Sequence, residues 1–225
     1  MADEPRLSSL DLVNSEVVAE FQNRMRNMFA MLRSLIGRSA ANKTDVQDYV
    51  DHLQARIDAI ARTQSSFLRF PGRSIEIEDI IRDEMVSQAA DQRSYRVDGP
   101  AVELAGKAAE VVTLAIHELA TNSVKFGALG DGRGTIDIDW SAGPRDGGAD
   151  WLRLDWLETG VDLGNLHPPD GFGAELITRQ IPYELGGSGV LDFRRDELEV
   201  IIEIPLTDGS KVVPMTAGRS SEAAQ

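Results

Sequence analysis

Residues 106–128 can fold in few ways. Val112, Ala115, Ile116 and Leu119 recur at helical spacing, which predicts a long helix with one apolar face. Glu118, Asn122 and Lys125 fall at i, i+4 and i+7 and so share the opposite face. A carboxylate and an amide oxygen suit a hard divalent cation, and an ammonium suits phosphate oxygens. A solvated face of an amphipathic helix would account for the same three residues. On this helix alone that is the simpler account.

Further along, Gly171-Phe172-Gly173 precedes a second helical run, Ala174-Glu175-Leu176-Ile177. Glycines before a helix let backbone N–H groups approach an anion at the helix N-terminus. A single Gly-x-Gly is more often only a turn. Between the two helices lie strand-like runs and Trp156-Leu157-Glu158-Thr159-Gly160. The order of these parts is far more specific than any one of them.

Composition narrows the class. At 225 residues and 42% hydrophobic content the chain can build one ordinary domain or two small ones. There is no cysteine, hence no disulfide and no thiolate metal site. No apolar run approaches the length of a membrane-spanning helix, and Met-Ala-Asp-Glu-Pro has no signal-peptide character. A cytoplasmic protein is expected. The net charge is −14, but residues 1–70 hold nine Lys/Arg and nine Asp/Glu, so the whole excess falls in residues 71–225. Such an acidic region is poorly suited to nucleic acid or an anionic membrane, and neither is expected as a partner.

The pattern divides the chain. Residues 1–11 are expected to be a disordered tail. Val18, Phe21, Met25, Met28, Leu32 and Leu35 predict an amphipathic helix over about 12–39. Thr44-Asp45-Val46-Gln47 fits a capping box opening a second helix that runs to about Phe67. The short connection makes the two antiparallel. The stripe of this hairpin must be buried by a second copy or by the rest of the chain. Phe70-Pro71-Gly72 marks a boundary, so the hairpin occupies 12–70 and a second domain 71–207. In that domain a short strand (74–77), a helix (78–90) and a strand (95–97) precede the long helix. Period-two runs come after it, at Thr135–Trp140, Trp151–Trp156, Gly189–Arg194 and Leu198–Ile204. They predict a mostly antiparallel sheet with helices on one side. Ala142–Ala149 is expected as a hairpin loop and 208–225 as a disordered tail.

Taken in order, these motifs resemble the HWE group of sensor histidine kinases, whose helix motif carries a His and whose downstream motif is Trp-x-Glu. His117, Trp156 and Glu158 stand at those positions. The resemblance runs from about Glu16 to Pro205. It implies an α+β chain: an antiparallel helical hairpin, forming a four-helix bundle in a homodimer, followed by the α/β sandwich of the histidine kinase, Hsp90 and gyrase ATPases. It implies ATP and Mg²⁺ as cofactors and a response regulator receiver domain as partner. Asn122 would be a Mg²⁺ ligand, and Glu118 would lie beside the metal or assist proton transfer. Lys125 would contact phosphate and Phe126 would line the adenine pocket. Glu158 would accept from the adenine amino group. Gly160, Gly171, Phe172 and Gly173 would border the nucleotide and its lid. His117 would either act in catalysis or, the stronger account, only shape helix packing. Trp156 is expected in the core.

Three departures from the group's pattern stand out. Val161 and Asp162 replace the usual Gly-Pro after Gly160. Pro182 is expected to break or kink the helix after Gly173 near Ile181. Most consequentially, the group's Glu-Leu-x-His-Arg-x-Lys-Asn is here Glu20-Phe21-Gln22-Asn23-Arg24-Met25-Arg26-Asn27. The phosphoacceptor position is Asn23, whose amide nitrogen is delocalised and not nucleophilic, unlike imidazole. His52, on the second helix, is a weaker acceptor candidate. The chain is therefore either a kinase core, with Asn23 replacing the acceptor, or a pseudokinase that docks a receiver domain or another sensor kinase. A serine kinase of partner-switching type fits less well, since such proteins lack the hairpin.

Overall fold

The computed structural model describes residues 50, 53–54, 57, 74–88, 94–130, 133–145, 148–161 and 172–213. The chain divides into two compact units, Met1–Leu53 and Gln54–Gln225. The expected hairpin, with Asn23 and His52, lies outside the described residues apart from positions 50, 53–54 and 57.

The elements of the second unit begin with β1 (Ile75–Glu76), α1 (Ile77–Gln88), β2 (Tyr95–Asp98), β3 (Val102–Leu104), α2 (Gly106–Phe126), β4 (Thr135–Pro144) and β5 (Asp150–Thr159). Next come α3 (Phe172–Glu175), a π-helical segment (Leu176–Gln180), α4 (Ile181–Leu185), β6 (Ser188–Phe193), β7 (Glu197–Pro205) and β8 (Lys211–Val212). The main sheet has the order β2-β4-β5-β7-β6. Its β2–β4 pair is parallel, and the other pairs are antiparallel. This is a mixed α/β fold with a mostly antiparallel main sheet, as the alternation predicted.

Strand alternation decides which side is covered. Ile138, Trp156 and Val200 are aligned across β4, β5 and β7, and all three are fully buried. Asp139 and Asp155 are aligned on the other face. There the like charges are separated by arginines: Arg96 reaches Asp137 (3.0 Å) and Asp139 (2.8 Å), and Arg153 holds Asp155 (2.5 Å). Opposite charges across strands support a sheet face, and juxtaposed like charges weaken it. Helix α1 contributes Ile77, Ile80, Ile81 and Met85 to the core, with Glu78 and Asp79 in its first turn, where acids favour the helix dipole.

Four sequence expectations need adjustment. A second sheet, β1-β3-β8, was not foreseen. Strands of two or three residues show no period. Within the expected tail from 208, the described residues 208–213 have structure: a turn with positive φ at Asp208 and Gly209 leads into β8, which pairs with β3. Strand β4 runs on into the start of the supposed hairpin loop as far as Pro144, so that Ala142 pairs with Leu152 and Gly143 with Trp151. Pro182 interrupts no chain path. The π-helical segment ends just before it, with Ile181 N–H donating to Leu176 O, and Pro182 sits in the first turn of α4. Proline lacks an N–H and clashes with the carbonyl four residues back; a wider turn relieves both. Among the described residues no helix is long and apolar enough to cross a membrane.

Candidate functional site

Helix α2 is the spine of the site. Its N-terminal residue Ala105 lacks a side-chain cap, and the Ala105 N–H donates instead to Ser210 Oγ (3.0 Å). Val111, Val112, Leu114, Ala115, Ile116 and Ala120 are buried. Along the polar face burial falls from Glu118 (buried) through Asn122 (half-buried) to Lys125 (exposed). This grading suits a site that is closed at one end and open at the other.

Helix α3 lies against that face. A Cβ on Gly173 would stand 3.1 Å from Glu118 Cβ and 3.3 Å from Asn122 Nδ2. A side chain there would crowd the α2 face, and the close approach brings Gly173, Glu118 and Asn122 together. Phe172 is buried and packs inward. Gly171 and Asp162 lie outside the described residues. Val161 is buried in the core. Phe126 ends the helix at 62% exposure.

The other end of the site centres on Glu158, only 1% exposed. Trp156 Nε1 donates to its Oε1 (3.0 Å). Ser123 Oγ and the Ala128 N–H both donate to its Oε2 (2.8 Å each). Ser123 Oγ in turn accepts from the Leu129 N–H (3.2 Å), so the carboxylate fastens the turn after α2. Burial pushes the Glu158 carboxyl above its ordinary value, and the donors from Ala128, Trp156 and Ser123 pull it part of the way back. Gly127 makes this possible. Its φ is −119°, open to any residue, but a Cβ would lie 2.1 Å from Glu158 Oε2. Gly160 has φ +73° and rests against Gly134 and Arg133.

His117 is 3% exposed, with Nδ1 2.8 Å from Glu84 Oε1 on α1. Gln88 Nε2 donates to the same oxygen (3.1 Å). With Glu84 ionised, His117 Nδ1 carries the proton and donates. This placement ties α2 to α1. It gives no geometric support to a catalytic role for His117.

Sequence reasoning missed Ser123, Gly127 and the polar role of Trp156. One signal was available: Trp156 and Glu158 are two apart on a strand and must share a face. The partners of Glu158 from the end of α2 carried no such signal.

Residues 20–101 match the family model described as HWE histidine kinase. "Blue-light-activated histidine kinase 1" of Erythrobacter litoralis is 32% identical over 197 residues, covering 84% of this chain and 53% of that protein. A blue-light-activated histidine kinase of Rhizobium johnstonii is 26% identical over 205 residues, covering 91% of this chain and 57% of that protein. The chain thus spans about half the length of the curated relatives it matches. Among solved structures, a blue-light-activated histidine kinase of Erythrobacter litoralis superposes with a TM-score of 0.52 at 18% identity, covering 92% of this chain and 63% of that one. That likeness supports the fold. The family-model match over residues 20–101 and the 32% identical relative make the HWE histidine kinases the family this chain is similar to.

Proposed function

We propose that the second unit binds ATP with Mg²⁺ and that the chain acts in two-component signalling as a homodimeric, cytoplasmic kinase core whose acceptor position is Asn23. The observation that carries this reading is the meeting of Glu118, Asn122 and Gly173 on one side of α2. Mg²⁺ takes one or two protein oxygens and completes its shell with phosphates and water, and the donor set fits: Asn122 would ligate it and Glu118 would stand beside it. When bound, Mg²⁺ would offset charge on the β- and γ-phosphates. Lys125, exposed at the open end, suits a phosphate contact. Glu158, with Gly127 leaving it room, suits the amino group of adenine.

Calorimetry with a non-hydrolysable ATP analogue tests the reading. Binding is expected to require Mg²⁺, and N122A should weaken it about ten- to a hundred-fold, the worth of a charge-assisted contact. No binding at millimolar nucleotide would overturn it.

Asn23 favours a second reading, a pseudokinase that docks a receiver domain or another sensor kinase. The two readings separate on Asn23→His. If the ATP unit is active, that single change creates an acid-labile phosphoprotein labelled at residue 23, and a receiver domain then takes the phosphate. A chain with Asn23→His that binds ATP yet stays unlabelled is a pseudokinase.

A further inference from the structure

Glu158 presents a puzzle that an ordinary structural role does not explain. A carboxylate has about four acceptor sites. On Oε2 both are filled, by Ser123 and Ala128, and on Oε1 one is filled, by Trp156. The fourth has no partner among the described residues. All three donors are neutral, and at 1% exposure the group is out of bulk water. Burying a charge without a cation is costly. A neutral side chain could tie the end of α2 to β5 at lower cost. The cost makes sense if the remaining acceptor is kept for a donor that arrives with a ligand.

Trp156 decides where that acceptor points. Its indole is fully buried between aligned Ile138 and Val200, so the ring cannot turn aside, and its N–H engages the one oxygen that retains a vacant site. Ser123 and Ala128 hold the other oxygen and stop the carboxylate from rotating. Any Cβ at position 127 would drive into that oxygen.

We infer that Trp156 is a positioning residue for base selection, holding Glu158 so that one acceptor on Oε1 meets the amino group of a 6-aminopurine. A purine with a carbonyl or hydrogen at that place leaves the acceptor unmet. The inference rests on the ATP reading above.

The test compares ATP with its 6-deamino analogue, purine riboside triphosphate, by calorimetry on the full chain with Mg²⁺. The unmodified chain should prefer ATP by about tenfold or more, the value of a hydrogen bond to a charged group. In W156F that preference should fall at least about threefold, with analogue affinity changed less than about twofold. A merely structural Trp156 predicts otherwise: both affinities drop together and their ratio stays. That result overturns the inference while leaving ATP binding intact. Failure of the unmodified chain to bind either nucleotide at millimolar concentration overturns the proposed function and this inference with it. If W156F folds poorly, the unmodified chain still decides. The Trp156 indole proton resonance should shift with ATP and much less with the analogue, and equal shifts overturn the assignment.

Discussion

Two buried carboxylates meet helix α2 from neighbouring elements, and they are compensated in different ways. Glu84, from α1, faces His117, a side chain able to carry a positive charge. Glu158, from β5, faces an indole N–H, a hydroxyl and a backbone N–H. The first has its counter-group inside the fold and acts as a fastening between two helices. The second is held in place by dipoles alone, with no cationic partner among the described residues. Equal burial thus conceals two kinds of work.

The contrast can be broken most forcefully at Glu84. E84A would strand the buried His117 donor and take the partner of the half-buried Gln88, and is expected to cost about 2–4 kcal/mol in denaturant unfolding. E84Q, which can still accept from Nδ1–H, should cost about 1 kcal/mol. A loss from E84A below that level would mean the pair is no fastening.

E158Q should have the next largest effect, about 1–3 kcal/mol, because the amide must turn its N–H₂ toward a donor whichever way it is flipped. It also carries a pH signature. Burial raises the folded-state pKa of Glu158, so the folded chain holds this proton more tightly than the unfolded chain. The contribution is fully present below the unfolded value of 4.5 and is lost as pH rises through the folded one. The stability advantage of the unmodified chain over E158Q should therefore shrink from about pH 4.5 towards neutrality. A pH-independent difference would overturn this account of Glu158.

The smallest change is expected on the outer face of the sheet. Arg96 bridges Asp137 and Asp139 in the open, and salt screens such contacts. R96A should leave the thermal midpoint nearly unmoved at physiological salt. A large drop would mean that this face is less exposed to solvent than its alternation implies.

Much of the site was legible because period reports faces. Spacing along α2 was enough to place Glu118, Asn122 and Lys125 together, and spacing along β5 was enough to align Trp156 with Glu158. Period does not report which distant group arrives at a face. Ser123 and Ala128 lie 35 and 30 residues from Glu158 in the chain, and Arg96 lies 41 from Asp137. Gly127 carried no signal in the sequence; its backbone is extended and the glycine serves a clearance. Strands β3 and β8 were too short to show alternation. Pro182 was noticed, but whether a proline breaks a helix or is absorbed by a wider turn depends on the carbonyls beneath it.

The bond from the Ala105 N–H to Ser210 Oγ has a consequence for how the domain comes into being. It spans 105 residues. At a synthesis rate of about 5–20 residues per second, helix α2 leaves the ribosome roughly 5–20 s before the hydroxyl that caps it. Strand β3 waits equally long for β8. During that interval helix α2 exists with a frayed start and an unpaired neighbouring strand edge, a state prone to sticking to other chains. Closure by so distant a segment is also slow in the sense of contact order. The described domain is thus completed last at the helix end farthest from Glu158, and it is most vulnerable just before β8 emerges.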